Sequence, residues 1–148
     1  MRHFLSVLIL ALAACGHPAP ARPSPATPPA ELLGDFGDDY GDEFSLTPTL
    51  FAHHPQSRYH IVRWNPAGRY LIAQNDSTNP SAQGRWTRID WVLLPGMAPW
   101  TWGFCYSAYD APTADSAEAT HVVDRDTPKS GCNGHPFSRM KRLNHPAR

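Results

Sequence analysis

Six prolines between residues 16 and 34 set the limits of any fold this chain can adopt. Pro18, Pro20, Pro23, Pro25, Pro28 and Pro29 are separated mainly by Ala, Ser and Thr. Proline has no amide donor and holds φ near −65°, so such a stretch is extended and unpaired. It reads as a semi-rigid tether. Residues 35–137 are then left for one compact domain, and 138–148 for a loosely ordered tail. Roughly 105–115 residues fall within the range of a single hydrophobic core.

Ahead of the tether, Arg2 and His3 precede an apolar run from Phe4 to Ala14, interrupted only by Ser6. The run is too short for a membrane-spanning helix, which needs about 20 apolar residues. A basic start, a short apolar stretch and small residues at its end are the layout of an export signal. Leu12-Ala13-Ala14-Cys15 resembles the lipobox of bacterial lipoproteins. The resemblance implies cleavage after residue 14, leaving residues 15–34 as lipidated Cys and tether. It implies diacylglycerol on the Cys15 sulfur and an acylated, palmitate-bearing N-terminus. One acyl chain holds a protein to a membrane only marginally, so the family's three chains imply stable anchoring. Gly16, where an Asp would retain a lipoprotein at the inner membrane, implies the outer membrane of the cell envelope.

Charge excludes one class of partner. The 13 basic and 13 acidic residues cancel, and a neutral chain has no electrostatic footprint for nucleic acid. The only basic cluster is Arg139, Lys141, Arg142 and Arg148, read as fraying into solvent, with phosphate or lipid head-group binding as the lesser alternative. With Cys15 assigned to lipid, Cys105 and Cys132 have one intramolecular pairing in an oxidising compartment. A bridge over about 27 residues would contribute roughly 3.5 kcal/mol in the chain-entropy model. The competing metal reading finds only His135 near Cys132, whereas zinc ligands come in close pairs.

From Phe44 onward, β-branched and aromatic runs alternate with turn formers. Phe44 to Phe51, interrupted at Pro48, is an edge or broken strand. Tyr59 to Trp64 and Arg69 to Gln74 form a hairpin about Asn65-Pro66-Ala67-Gly68. Arg85 to Leu94 and Trp100 to Tyr109 follow as longer strands. Thr113 to Thr120 is Ala-rich and predicts a short helix, with Asp115 suited to its N-terminal dipole; Thr113 and Ser116 do not spell the usual capping box. The fold class is mainly β: a small antiparallel meander or open barrel of four to five strands, one short helix and one disulfide.

In the strand from Arg85, the two-residue period puts Trp86, Arg88 and Asp90 on one face. Thr87, Ile89, Trp91 and Leu93 face the core. Arg88 and Asp90 read first as a solvated ion pair worth under about 1 kcal/mol. The sharper reading makes Trp86, Arg88, Asp90 and Trp102 a ligand-gripping aromatic face, since both faces of these strands carry rings. Against it stands a two-sided core, with the helix on one face and residues 124–137 on the other. His53 and His54 point to opposite sides of an extended segment and are read as structural, with no metal site. Asp35, Asp38, Asp39, Asp42 and Glu43 read as a solvated acidic lead-in. There is no Gly-x-Ser-x-Gly elbow and no cofactor motif. Paired carboxylates such as Asp90 and Asp110 could serve a hydrolase if the fold brought them together, which nothing in the sequence requires.

The stretch Tyr70–Gly134 also resembles a domain type of bacterial lipoproteins and secreted proteins that have no assigned activity. The carrying residues are Ile72-Ala73-Gln74-Asn75-Asp76, Trp86-Thr87-Arg88-Ile89-Asp90-Trp91, Phe104-Cys105, Ala108-Tyr109-Asp110-Ala111 with Thr113, and Gly131-Cys132-Asn133-Gly134. It implies one disulfide-linked unit and carries no chemistry. The expected function is a lipid-anchored envelope lipoprotein, a binding or structural module meeting an envelope polysaccharide or protein partner. The alternatives are a carboxylate-using envelope hydrolase and a part of a larger envelope assembly.

Overall fold

A computed structural model describes residues 26–121 and 123–148. The export signal, Cys15 and most of the tether lie outside the described residues. Eight strands follow in order: β1 Gly34–Asp38, β2 Glu43–Leu46, β3 Leu50–His54, β4 Ser57–Asn65, β5 Tyr70–Asn75, β6 Trp86–Leu93, β7 Trp102–Ala111 and β8 Ser138–Arg142. Each pairs antiparallel with its neighbour in sequence, and β8 returns to β1 through Phe36↔Arg142, Gly37↔Lys141 and Asp38↔Met140. The meander therefore closes into an eight-stranded barrel instead of the expected four to five strands. Closure leaves no unpaired edge.

Three misread segments account for the difference. The acidic lead-in is β1, whose turn into β2 is closed by the Asp38 carboxylate, accepting from the amides of Tyr40 and Asp42 at 2.9 Å each. Pro48 separates two strands, β2 and β3, across a turn in which the Thr47 hydroxyl accepts from the Leu50 amide at 3.0 Å. The segment expected to be a loose tail supplies β8. Its one apolar side chain, Met140, is fully buried, and its charged residues are half-buried or exposed. The core also starts earlier than residue 35: Leu32, in a 3-10 turn over Ala30–Leu32, is 1% exposed and packs into the core.

Eight strands enclose a lumen just wide enough for side chains to fill. Phe36, Phe44, Phe51, Trp64, Trp91, Trp102 and Phe104 fill it, with Ile61, Leu71, Ile89 and Met140 between them. Phe104 is the hub. Its ring meets Phe44 and Phe51 at 5.3 Å and Tyr106 at 5.1 Å, edge to face in each case. Such pairs add about 0.5–1.5 kcal/mol each beyond their burial. His53 turns inward to stack on Phe44 at 4.5 Å, and His54 turns outward to Ser45 at 2.8 Å.

The helix, α1, spans Ala114–Glu118. Thr113 caps it: its hydroxyl accepts from the Ser116 amide, and the Ser116 hydroxyl accepts from the Thr113 amide, both at 3.1 Å. Ser116 thus fills the role that Glu or Gln usually has in a capping box, contrary to the sequence reading. Both α1 and the segment after it lie on the outside of the barrel, across β5, β6 and β7. The core is two-sided, but with lumen on one side and helix plus loop together on the other. Cys105, on the outer face of β7, is bonded to Cys132 with Cα atoms 5.6 Å apart. Val92, Leu94 and Phe137 form a second apolar cluster around that bridge. Gly131 is buried there so close to the Asp124 carbonyl that a Cβ would not fit.

Candidate functional site

Along β6, Arg88 and Asp90 turn outward, as the period requires. They are not a solvated pair. Their side chains are 6% and 0% exposed beneath α1 and the loop after it. Arg88 holds Asp90 through two parallel bonds, Nε to Oδ2 at 2.8 Å and Nη2 to Oδ1 at 2.9 Å. Arg125 bonds Oδ1 and the Ser107 hydroxyl bonds Oδ2. Four donors thus occupy the carboxylate. Arg88 also donates to the Glu118 carbonyl and lies over the Tyr70 ring, 4.0 Å from its centre. Tyr70 in turn donates to Glu118 Oε1 at 2.5 Å, and Arg63 pairs with the same carboxylate. Arg125 reaches the Gly68 carbonyl at 2.8 Å. Its burial pulls the guanidinium pKa down while Asp90 opposes the shift. The cluster is a latch that fastens α1 and the following loop to β5 and β6.

Trp102 is on the other side of the wall, 2% exposed in the lumen and edge-on to Phe36 at 5.3 Å. Trp86, half-buried, starts β6 opposite Ala111. The four residues expected to form one gripping face therefore do not share a face. Leu93, expected in the core, is 45% exposed because β6 ends there, and Leu94 takes the buried position. Asp110 is exposed near the end of β7. Among the described residues, no group of three His, Cys, Asp or Glu side chains is placed to hold a metal ion.

An open concavity lies elsewhere on the outer surface. A cleft of about 660 Å³ runs between the β1–β2 turn, the β6–β7 turn and residues 128–137. Leu94, Met97 and Phe137 form its apolar floor; Tyr40, Lys129 and Arg139 stand at its rim. Its volume falls within the usual range for small-molecule sites, about 300–1,000 Å³. Tyr40 is 70% and Met97 39% exposed. The walls are tied down: the Phe137 amide donates to the Pro128 carbonyl at 2.9 Å, Cys132 and His135 exchange two bonds at 2.9 Å, and the Trp100 amide donates to the Met97 carbonyl at 2.9 Å. Around the rim, Arg139 pairs with Asp39 at 2.8 Å, and Arg139 and Lys141 both approach the Trp100 ring, at 5.0 and 5.4 Å. The C-terminal basic cluster is thus held rather than frayed. Arg142 donates to the Leu33 carbonyl at 3.0 Å, and the Arg148 amide to Glu43 at 2.8 Å.

Of the cleft residues, Asp39 and Arg139 stand out in the sequence only as members of charged clusters, but Tyr40 and Met97 carry a signal of their own. Tyr40 and Met97 are large apolar residues inside Gly- and Pro-rich turns, Gly-Asp-Asp-Tyr-Gly and Pro-Gly-Met-Ala-Pro. A turn tip has no core to enter, so a large apolar side chain there stays at the surface.

Comparison with protein families, with characterised proteins and with solved structures finds no match for the chain.

Proposed function

We propose that the protein is a lipid-anchored lipoprotein of the bacterial cell envelope, acting as a binding module whose contact surface is the cleft. The lipobox-like Leu12-Ala13-Ala14-Cys15 and the proline-rich stretch support an outer-membrane anchor and tether. Membrane lipid, through acylated Cys15, is one partner; an envelope component seated in the cleft is the other. The observation that carries the binding role is where unfilled apolar surface remains. Aromatic side chains fill the lumen, and the Asp90 carboxylate of the latch is fully occupied by donors, whereas the cleft stays concave, apolar and tied at its walls. The hydrolase reading loses its leading carboxylate, since Asp90 has no lone pair left to move a proton.

Two measurements test the proposal. A palmitate label is expected on the full chain in the membrane fraction and absent from Cys15→Ala. An unacylated chain still beginning at Met1 in the cytosol would overturn the anchor. Cross-linking in envelope extracts should recover partners with the unaltered chain and with Trp86→Ala, and lose them with Met97→Glu. Loss with Trp86→Ala and retention with Met97→Glu would return the contact surface to the strand face.

A further inference from the structure

We infer that the cleft takes an anionic single-chain amphiphile, a fatty-acid-like molecule whose chain lies on Leu94, Met97 and Phe137 and whose head meets Lys129 and Arg139. The inference rests on the reading of the cleft as contact surface and adds the ligand's chemistry. Four observations converge on that class.

The floor is apolar and holds Met97, an unbranched, polarisable side chain that adapts to irregular ligands. A volume of about 660 Å³ suits one flexible chain. The walls need little ordering, because the 105–132 bridge and the Phe137–Pro128 bond already hold one of them, and preorganisation lowers the cost of binding.

Charge selects the head. The only acidic residue lining the cleft, Asp39, is consumed by Arg139. It accepts the Arg139 amide at 3.1 Å and Nε at 2.8 Å. Nε is the guanidinium nitrogen that bonds the carboxylate, and Lys129 forms no ion pair among the described residues. Lys141, 5.4 Å from the centre of the Trp100 ring, adds a third cation nearby. The rim is therefore cationic in a chain that is neutral as a whole.

The test uses the full chain carrying Cys15→Ala, so that lipidation plays no part. Calorimetry below the micelle concentration is run with dodecanoate and with dodecyltrimethylammonium, and sedimentation with phosphatidylglycerol vesicles. Dodecanoate is expected to bind once per chain and the cationic probe not to bind. Lys129→Glu should weaken dodecanoate about tenfold or more, and Met97→Glu should abolish it. Both positions are exposed, so unchanged melting temperatures separate lost binding from lost folding. Equal binding of both probes, binding that survives Met97→Glu, or vesicle binding without monomer binding would each overturn the inference. If dodecanoate does not bind while Met97→Glu still loses partners in envelope extracts, the ligand class is wrong and the cleft reading stands.

Discussion

Along β6, Ile89 and Trp91 turn into the lumen, while Arg88 and Asp90 turn out beneath α1 and the loop after it. All four are buried to within a few per cent. The inner pair meets rings and methyl groups, where contact energy is spread over many weak, separable atom pairs. The outer pair meets a second guanidinium, a hydroxyl and a backbone carbonyl, where removing one member strands the others without water. One strand thus shows two kinds of burial. The inner kind is divisible; the outer kind holds or fails as a unit.

The sharpest way to break that contrast is Asp90→Ala. It leaves Arg88 buried and unpaired, and removal of one partner from such a group costs about 3–5 kcal/mol. Chemical denaturation of the full chain should show that loss. The double variant Arg88→Met/Asp90→Leu should be less destabilised than Asp90→Ala, because it removes both charges. A double variant that is worse than the single one would mean that the cluster stabilises as an ion pair and not merely as a satisfied set.

Next in size is the bridge. Cys105→Ser/Cys132→Ser should cost roughly 3.5 kcal/mol for a loop of 27 residues. Its effect should fall on the outer side, with faster amide exchange over residues 123–137 and near-ultraviolet ellipticity of the luminal rings retained. Loss of that ellipticity would show that the two sides are one cooperative unit. Smaller again is Ile89→Val in the lumen, expected to cost about 0.5–1.5 kcal/mol. A larger loss there would end the claim that the inner packing is divisible.

The same contrast explains what was legible in the sequence. The hairpin about Asn65–Gly68, the strands β6 and β7 and α1 follow from local patterns: alternating apolar residues, an Asn whose Oδ1 accepts the Gly68 amide at 2.7 Å, and an Ala-rich run. The 105–132 pairing followed from the cysteine count. β1 and β8 were hidden because neither carries a local alternation of apolar residues, and the pairing that closes the barrel joins the two ends of the domain. Gly34-Asp35-Phe36-Gly37-Asp38 and Ser138-Arg139-Met140-Lys141-Arg142 each carry one luminal ring or chain amid polar residues, and their pairing spans the whole domain. The site was half legible for a related reason. Period two placed Arg88 and Asp90 on a common face, but their burial depends on Arg125 and Glu118, which no local pattern links to β6. The cleft is assembled from three turns remote in sequence, so no single stretch announces it.

Asp76 offers the mildest test, because it is the half-buried counterpart of Asp90. His60 Nε2 lies 2.6 Å from its Oδ2, and the Thr78 hydroxyl and amide donate to its Oδ1 at 2.7 and 2.8 Å. The His60 bond, followed by the two from Thr78, holds the carboxyl well below the usual carboxylate range. An unfolded Asp titrates near 3.9. A depressed folded value means the contribution is fully present above that pH and is lost as pH falls through the folded value. His60→Ala should therefore raise the Asp76 midpoint toward the ordinary value, as read from its carboxyl carbon by NMR, and leave the rest of the spectrum in place. Solvent reaches this pair, with the His60 side chain 55% exposed, so the change should register as a shifted titration and not as a collapse of the fold. A midpoint that does not move would assign the depression to Thr78 alone, and a fold that does collapse would erase the distinction between water-facing and latched carboxylates on which the contrast between the two sides of β6 depends.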